Sequence, residues 1–430
     1  MNFYICEMNC ERYLIYGKLC LSAFLSTLVI SSFFASSNIF LNQIQLANAQ
    51  HHQISLLNNS HYNSENNISN TLLEQFKEIV FDHTTSSNSS SNTSSVSNSS
   101  ISIPIVVGVV SPEGTQVSGY GNMSSFNSTE VDENTVFDVA SISKTFVAII
   151  LADMVNQGLV NLDDPIEKYL PVDNLTVPSY KGHKITLEDL ATHTSGLPDF
   201  PKGWVRNHSY TTQQVYDFVS NTTLSSKPGT KANYSDIGMG LLGHILSLRA
   251  GVSFDQLVKD RILNVLAMDS TGIRMNTSGV SVPEDIKSRY ATGHIAGKEF
   301  NLEFVPETIE SAGAMYSSTN DLLKYLSANI GLIQTKINDS IQETLLIRHS
   351  FGQTSENKSL KDYIGLGWTV TTDFGKEVIW HTGSIDGYTS IIGFNPSKQI
   401  GLVILCGCNY NDFSSQEMIN LVIPFLFYSE

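Results

Sequence analysis

An α+β fold (α/β in the broad sense), with one antiparallel sheet built from both ends of the chain, flanked by helices, and a mainly helical lobe inserted between them, is predicted by three observations. Short apolar runs separated by turn residues open the folded part of the chain and close it. A stretch that is apolar on every side follows the opening pair, as a buried helix would be. Between these blocks, residues 160–350 show little strand alternation.

The elements can be justified in chain order. Lys18 precedes an apolar stretch from Leu19 to Ala35, and Ala47-Asn48-Ala49 before Gln50 has the small-residue form of a cleavage site. Asn38 interrupts the approach to that site, so residues 1–49 read either as a signal peptide or as a signal anchor. Both readings place the bulk of the chain outside the cytoplasm, secreted or tethered to a membrane by this segment. Three of the five cysteines, Cys6, Cys10 and Cys20, fall within it. Residues 50–100 are rich in Asn, Ser and His, with FDHTTSSNSSSNTSSVSNSS at 81–100. Such a tract buries too little apolar surface to offset the entropy of ordering and is expected to be mobile. Within it, TLLEQFKEIVF predicts a short amphipathic helix over about 71–81, with Leu72, Leu73, Phe76, Ile79 and Val80 on one face. Asn88, Asn92, Asn98, Asn122 and Asn127 begin glycosylation sequons, although Asn/Ser-rich sequence also generates such triplets by chance.

The domain itself is assigned to 101–430. IPIVVGVV and TQVSGYG read as two strands joined at Ser111-Pro112-Glu113-Gly114. The buried helix runs from Phe146 to Val155 and is stopped by Gly158. Near the C-terminus IGLGWTVTT, GKEVIWHTG, YTSIIGFNP and IGLVILCGC form four more strands, and SSQEMINLVIPFLF a final helix despite Pro424. Cys406 and Cys408, two apart in a strand, face one side and read as buried small hydrophobes rather than a disulfide.

Charge and motifs exclude several function classes. A net charge of −16 and a pI near 5.1 repel phosphate backbones, so nucleic acid is not an expected partner. There is no GxxxxGK[ST], HExxH, strand-to-helix GxGxxG or GxSxG string, and no metal or other cofactor is expected. Asp163-Asp164-Pro165 reads as capping before a short helix rather than as a metal pair. The expected partner is a small-molecule or peptide substrate, and the sequence carries no mark of oligomeric state.

Positive chemistry begins with Ser141 and Lys144, at i and i+3 on one face at the head of the buried helix. A serine hydroxyl needs a base to become a nucleophile. The helix N-terminus and burial both disfavour a charged lysine, so the amine is expected to be neutral enough to serve. A second S-x-x-K copy, Ser355 to Lys358, lies in a polar loop with nothing to bury it and is set aside.

Four further strings follow in order: LEDLATHTSGLPDF (187–200), ANYSDIGMGLLGHIL (232–246), SAGAMYSSTNDLLKYL (311–326) and IWHTGSIDGY (379–388). Together with FDVASISKTF, and over most of the chain from about Leu72 onward, they resemble the serine β-lactamase and penicillin-recognising hydrolase superfamily. The branch is that of class C β-lactamases, D-alanyl-D-alanine carboxypeptidases, D-amino-acid peptidases and related esterases. The resemblance implies a β-lactamase/transpeptidase-like fold and an exported serine hydrolase acting on ester or amide bonds through an acyl-enzyme. It further implies Ser141 as nucleophile, Lys144 as its partner, and Tyr234 as the phenol exchanging a proton with nucleophile and leaving group, its pKa lowered by the nearby ammonium. His381, Thr382 and Gly383 would line the site on a strand, and the backbone N–H groups of Ser141 and Ser384 would form an oxyanion hole. Gly383, lacking a Cβ, lets that strand approach a substrate closely.

Two residues depart from the family pattern. Asp236 stands where many relatives have Asn, and a carboxylate cannot donate to a substrate amide; it would bind a substrate ammonium or pair with Lys144. His381 stands where class C enzymes carry lysine, and a largely neutral imidazole anchors a carboxylate less strongly. Both favour an esterase or D-amino-acid peptidase, then a carboxypeptidase, over a β-lactamase. A non-catalytic ligand-binding protein of the same fold is the rival from another class. His193, Thr194 and Ser195 read as a structural turn after a helix started by Thr186 and Asp189.

Overall fold

The computed structural model describes residues 68–87, 103–171, 175–202, 210–274, 282–300, 307–352, 360–409 and 415–428. The leader, the sequons at Asn88, Asn92 and Asn98, and the second S-x-x-K copy lie outside the described residues.

Strands with apolar residues on both faces must be covered on both faces, and that requirement organises the molecule. Thirteen strands are present among the described residues: β1 (Ile105–Ser111), β2 (Gly114–Tyr120), β3 (Val136–Asp138), β4 (Gly272–Ile273), β5 (Gly293–Ile295), β6 (Lys298–Phe300), β7 (Met315–Ser318), β8 (His349–Gly352), β9 (Lys361–Ile364), β10 (Thr369–Asp373), β11 (Lys376–Ile385), β12 (Tyr388–Asn395) and β13 (Ile400–Cys406). Eight of them form one antiparallel sheet in the order β2-β1-β13-β12-β11-β10-β9-β8. The N-terminal hairpin thus zips onto the last strand, with Ile105 opposite Cys406. The two faces separate by strict alternation. Val106 and Val110 join Val403 and Leu405 in one core, whereas Ile105, Val107 and Val109 join Leu402 and Ile404 in the other.

The helices supply the two covers. The second core is closed by α1 (Ile68–Ser87), through Leu72, Leu73 and Phe76, together with residues of the C-terminal helix such as Met418 and Val422. The helix predicted over 71–81 is longer at both ends, and the side chains of Ile79 and Val80 lie outside the description. The first core surrounds α2 (Ser143–Asn156), in which every residue from Phe146 to Ala152 is fully buried. Chain reversal follows at Gly158, whose φ of +68° suits a residue without a Cβ. The lobe carries α3 (Leu187–Ala191), α4 (Thr212–Ser220), α5 (Asp236–Ala250), α6 (Phe254–Val258), α7 (Thr319–Asn329) and α8 (Asn338–Leu345), and the chain closes with α9 (Ser415–Tyr428), which contains Pro424.

Two sequence expectations are corrected here and one is refined. The mainly helical lobe also carries short strands that little alternation announces: β4 and β7 join β3 in a small sheet, and β5 pairs with β6 in a hairpin. β8 and β9 extend the large sheet beyond the four predicted C-terminal strands; both are four residues long and partly polar, so periodicity gives them little signal. Cys406 and Cys408 are disulfide-bonded. Strand geometry would hold two such Cα atoms about 6.6 Å apart, but β13 ends at Cys406 and a bend at Gly407 brings them to 5.2 Å. Both cysteines are nonetheless buried.

Phe76 is completely buried against the sheet. Phe76→Ala is expected to lower stability by about 3–5 kcal/mol, read as a shift in the urea midpoint at unchanged slope.

Candidate active site

The nucleophile's turn is fixed by its neighbours before any catalytic group is considered. From β3 the chain enters a 3-10 turn, Ala140–Ile142, and then α2. Ala140 has a φ of +47°, a left-handed conformation costing a residue with a Cβ on the order of 1 kcal/mol. Surrounding bonds hold it there: the Ser143 hydroxyl donates to the Ala140 carbonyl (2.5 Å), Val139 N–H to Met315 O (3.0 Å), and the Ser390 hydroxyl to Val139 O (3.0 Å). Ser141 is left half-buried at the mouth of α2, while Lys144, one turn inward, is wholly buried.

β11 runs beside this turn and carries His381, Thr382, Gly383 and Ser384. A Cβ built on Gly383 would lie 2.1 Å from the Val139 carbonyl oxygen. The glycine therefore clears the nucleophile's own backbone, which corrects the expectation that it makes room for substrate. His381 is buried, and Thr382 and Ser384 are half-exposed on either side of the glycine.

Lys144 Nζ donates hydrogen bonds to Ala312 O at 2.6 Å and Ser141 Oγ at 2.9 Å, and it forms an ion pair with Asp236 Oδ1 at 2.7 Å. Burial alone pushes the lysine pKa down, but the Asp236 carboxylate, with a smaller contribution from Tyr234, outweighs it and holds the amine above its ordinary value. The expectation of a neutral amine is overturned, and of the two roles expected for Asp236 the structure shows the pairing with Lys144 in place of the assignment to substrate. Asp236 reaches that place as the first residue of α5, whose N-cap Ser235 accepts from Gly238 N–H (2.9 Å) and donates to Pro198 O (2.6 Å).

Tyr234, two residues earlier, lays its ring 4.9 Å from Lys144 Nζ. Burial raises its pKa, and the neighbouring Lys144 charge pulls the other way without cancelling that rise. The phenol is thus protonated at neutral pH, contrary to the lowered value expected from its ammonium neighbour.

The HTS segment folds as the turn that the sequence predicts. Thr186 and Asp189 form a reciprocal capping box at the head of α3, and Thr194 donates its hydroxyl to Asp189 Oδ1 (3.1 Å). His193 does more. It adopts a φ of +56°, accepts the Ser235 N–H at Nδ1 (3.1 Å), and sets its ring 4.5 Å from that of Tyr234, centroid to centroid. His381 donates from Nδ1 to the Thr382 carbonyl (2.6 Å), which leaves Nε2 as an acceptor. Both imidazoles are neutral: burial first, and the Lys144 charge second, push His381 down to about 4, and burial, Lys144 and His381 push His193 down to about 3. Beside Tyr234 and these two rings opens a cavity of about 300 Å³ walled by Phe351, Trp368 and Trp380. Sequence reasoning missed the Ala312 carbonyl, the His193 contact and these aromatic walls. A backbone carbonyl has no residue signature, and the walls meet only in the folded sheet. Asp164 spends its carboxylate on Asn161 N–H (2.9 Å) and Lys168 (2.9 Å), as a loop-capping residue does.

Two outcomes follow from this geometry. Gly383→Ala must displace β11 or the Val139 turn; it is expected to cost about 1–3 kcal/mol of stability and to slow labelling of Ser141 by a fluorophosphonate about a hundredfold. His193 and His381 have folded pKa values below the unfolded value of about 6.5, so the unfolded chain binds more protons as pH falls from about 6.5 toward 4. Stability is therefore lost through that window. The melting temperature should be lower at about pH 5 than at about pH 7, with a smaller drop in His381→Asn.

Comparison with known proteins agrees with the architecture. The family model described as Beta-lactamase matches residues 101–423. A beta-lactamase from Pseudomonas fluorescens is 28% identical over 339 residues, covering 71% of this chain and 88% of the relative. The D-alanyl-D-alanine-carboxypeptidase/endopeptidase AmpH of Escherichia coli strain K12 is also 28% identical, over 303 residues, covering 66% and 74%. Among solved structures, a class C beta-lactamase from Rhodobacter sphaeroides superposes with a TM-score of 0.65 at 22% identity, over 83% of this chain and all of that one. With its family matched across three-quarters of its length and its serine, lysine and tyrosine gathered at one helix mouth, the chain belongs to the β-lactamase family of serine hydrolases.

Proposed function

We propose that this protein is an exported serine hydrolase, released or held at a membrane by its N-terminal segment, that cleaves ester or amide bonds through an acyl-enzyme. The observation that carries this reading is the 2.9 Å approach of Lys144 Nζ to Ser141 Oγ, with the Tyr234 ring 4.9 Å from the same nitrogen. Ser141 attacks the carbonyl carbon, and the backbone N–H groups of Ser141 and Ser384 meet the charge that develops on the carbonyl oxygen. A protonated Tyr234 is suited to donate to the leaving group, and water then releases the acyl group.

Substrate preference rests on what the site offers. Asp236 holds Lys144 and supplies no amide donor, and His381 is neutral where a fixed cation would anchor a carboxylate. The apolar cavity beside them suits an uncharged group. Esters and D-amino-acid amides are therefore the favoured substrates, ahead of carboxypeptidase peptides. A β-lactamase is the second reading, supported by the names of several relatives. A purely binding role has no need of the assembled serine, lysine and tyrosine.

Purified protein is to be assayed with p-nitrophenyl esters, D-amino-acid p-nitroanilides and nitrocefin beside Ser141→Ala. Ester turnover is expected to exceed that of nitrocefin in kcat/KM, and the variant to lose at least about a thousandfold. Preference for nitrocefin would establish the β-lactamase instead, and absence of fluorophosphonate labelling would establish the binder.

A further inference from the structure

We propose that Asp236 is the terminal proton acceptor of a Ser141–Lys144–Asp236 relay, in which Lys144 rests as an ammonium and takes the serine proton only after passing one of its own to Asp236. This inference rests on the hydrolase reading above and deepens it at the same site.

The geometry carries the relay. Lys144 Nζ stands between Asp236 Oδ1 at 2.7 Å and Ser141 Oγ at 2.9 Å, and the lysine is fully buried. Its third proton is held by the Ala312 carbonyl at 2.6 Å, an acceptor that stays put while the other two exchange. The groups facing Lys144 are Asp236 at the head of α5, Tyr234 just before it, His381 on β11 and His193 after α3. Both imidazoles and the phenol are poor bases here, the rings because burial and the Lys144 charge depress them, the phenol because burial keeps its proton on. Asp236 is the remaining member of that set able to take a proton.

The step balances without any outside reagent. Lys144 passes a proton to Asp236, rotation about its Cε–Nζ bond turns the vacated lone pair toward Ser141, and the serine proton moves to Nζ. As Oγ bonds to the carbonyl carbon, the π pair moves to the carbonyl oxygen. The products are an oxyanion adduct, an ammonium and a neutral Asp236 carboxyl group. On collapse the bond to the leaving group breaks, and the leaving oxygen or nitrogen takes a proton from Tyr234. Lys144 refills Tyr234, and Asp236 refills Lys144. Asp236 touches no reacting atom, so it is a positioning and proton-holding residue, and its signature is the pH profile.

The test is kcat/KM against pH for ester hydrolysis by the wild type, Asp236→Asn and Asp236→Ala, with folding checked by circular dichroism. The wild type is expected to be flat from about pH 6 to 8, its acid limb in the carboxylate range. In Asp236→Asn the carboxylate is gone, burial lowers the lysine pKa, and the neutral amine becomes the base. The acid limb then moves up by about two pH units or more, with activity recovered at alkaline pH. A wild-type limb in the amine range, above about pH 8, overturns the relay by itself and needs no variant. An unmoved limb in Asp236→Asn overturns it as well and assigns the limb to His381, whose pKa is about 4. Loss that is uniform across pH in a folded variant reduces Asp236 to packing. In each of these cases, labelling of the wild type and silence of Ser141→Ala would leave the hydrolase reading standing.

Discussion

A single buried ammonium organises the site. Desolvating one such charge costs several kcal/mol, and the cost is tolerable only where each N–H finds an acceptor. Lys144 is compensated from three places in the chain: it donates to a serine hydroxyl one turn back and to a carbonyl in the 307–312 turn, and it pairs with a carboxylate at the start of α5. Removing one partner from a buried pair typically costs about 3–5 kcal/mol. The charge therefore ties the lobe to the nucleophile's helix, and the position of Tyr234 follows from that tie, because the segment leading into α5 carries it past the ammonium.

The same turn is constrained from the sheet side. Gly383 allows β11 to lie against the Val139 carbonyl, and Ser390 on the neighbouring strand β12 hydrogen-bonds that carbonyl. An alanine in a left-handed conformation at 140 is the local cost of presenting Ser141 at the helix mouth. Rigid elements on both sides thus hold a half-buried hydroxyl against a fully buried amine, the arrangement that nucleophilic catalysis requires.

Much of this was legible in the sequence, and the reasons differ by residue. The α2 helix was plain because it is apolar on all sides, and the hairpin and the C-terminal strands because turn residues punctuate them. Ser141 and Lys144 stood out through their spacing at the head of that helix, and Tyr234 only through a family-like motif. Protonation states were misread. Sequence places a lysine in a core but does not count the acceptors around it, and a carboxylate 2.7 Å away reverses the effect of burial. The disulfide was missed for a related reason. Strand spacing separates Cys406 from Cys408, and only the bend at Gly407 closes the gap.

The seam between β1 and β13 has a kinetic meaning. Ile105 waits for Cys406, so the middle of the large sheet cannot zip until the chain has been made as far as that residue. Loop closure on that scale delays every contact that depends on it, and meanwhile the valine-rich hairpin has no partner for its open edge. A nascent chain of this topology carries that edge uncovered, open to pairing with other chains, until β13 arrives to cover it.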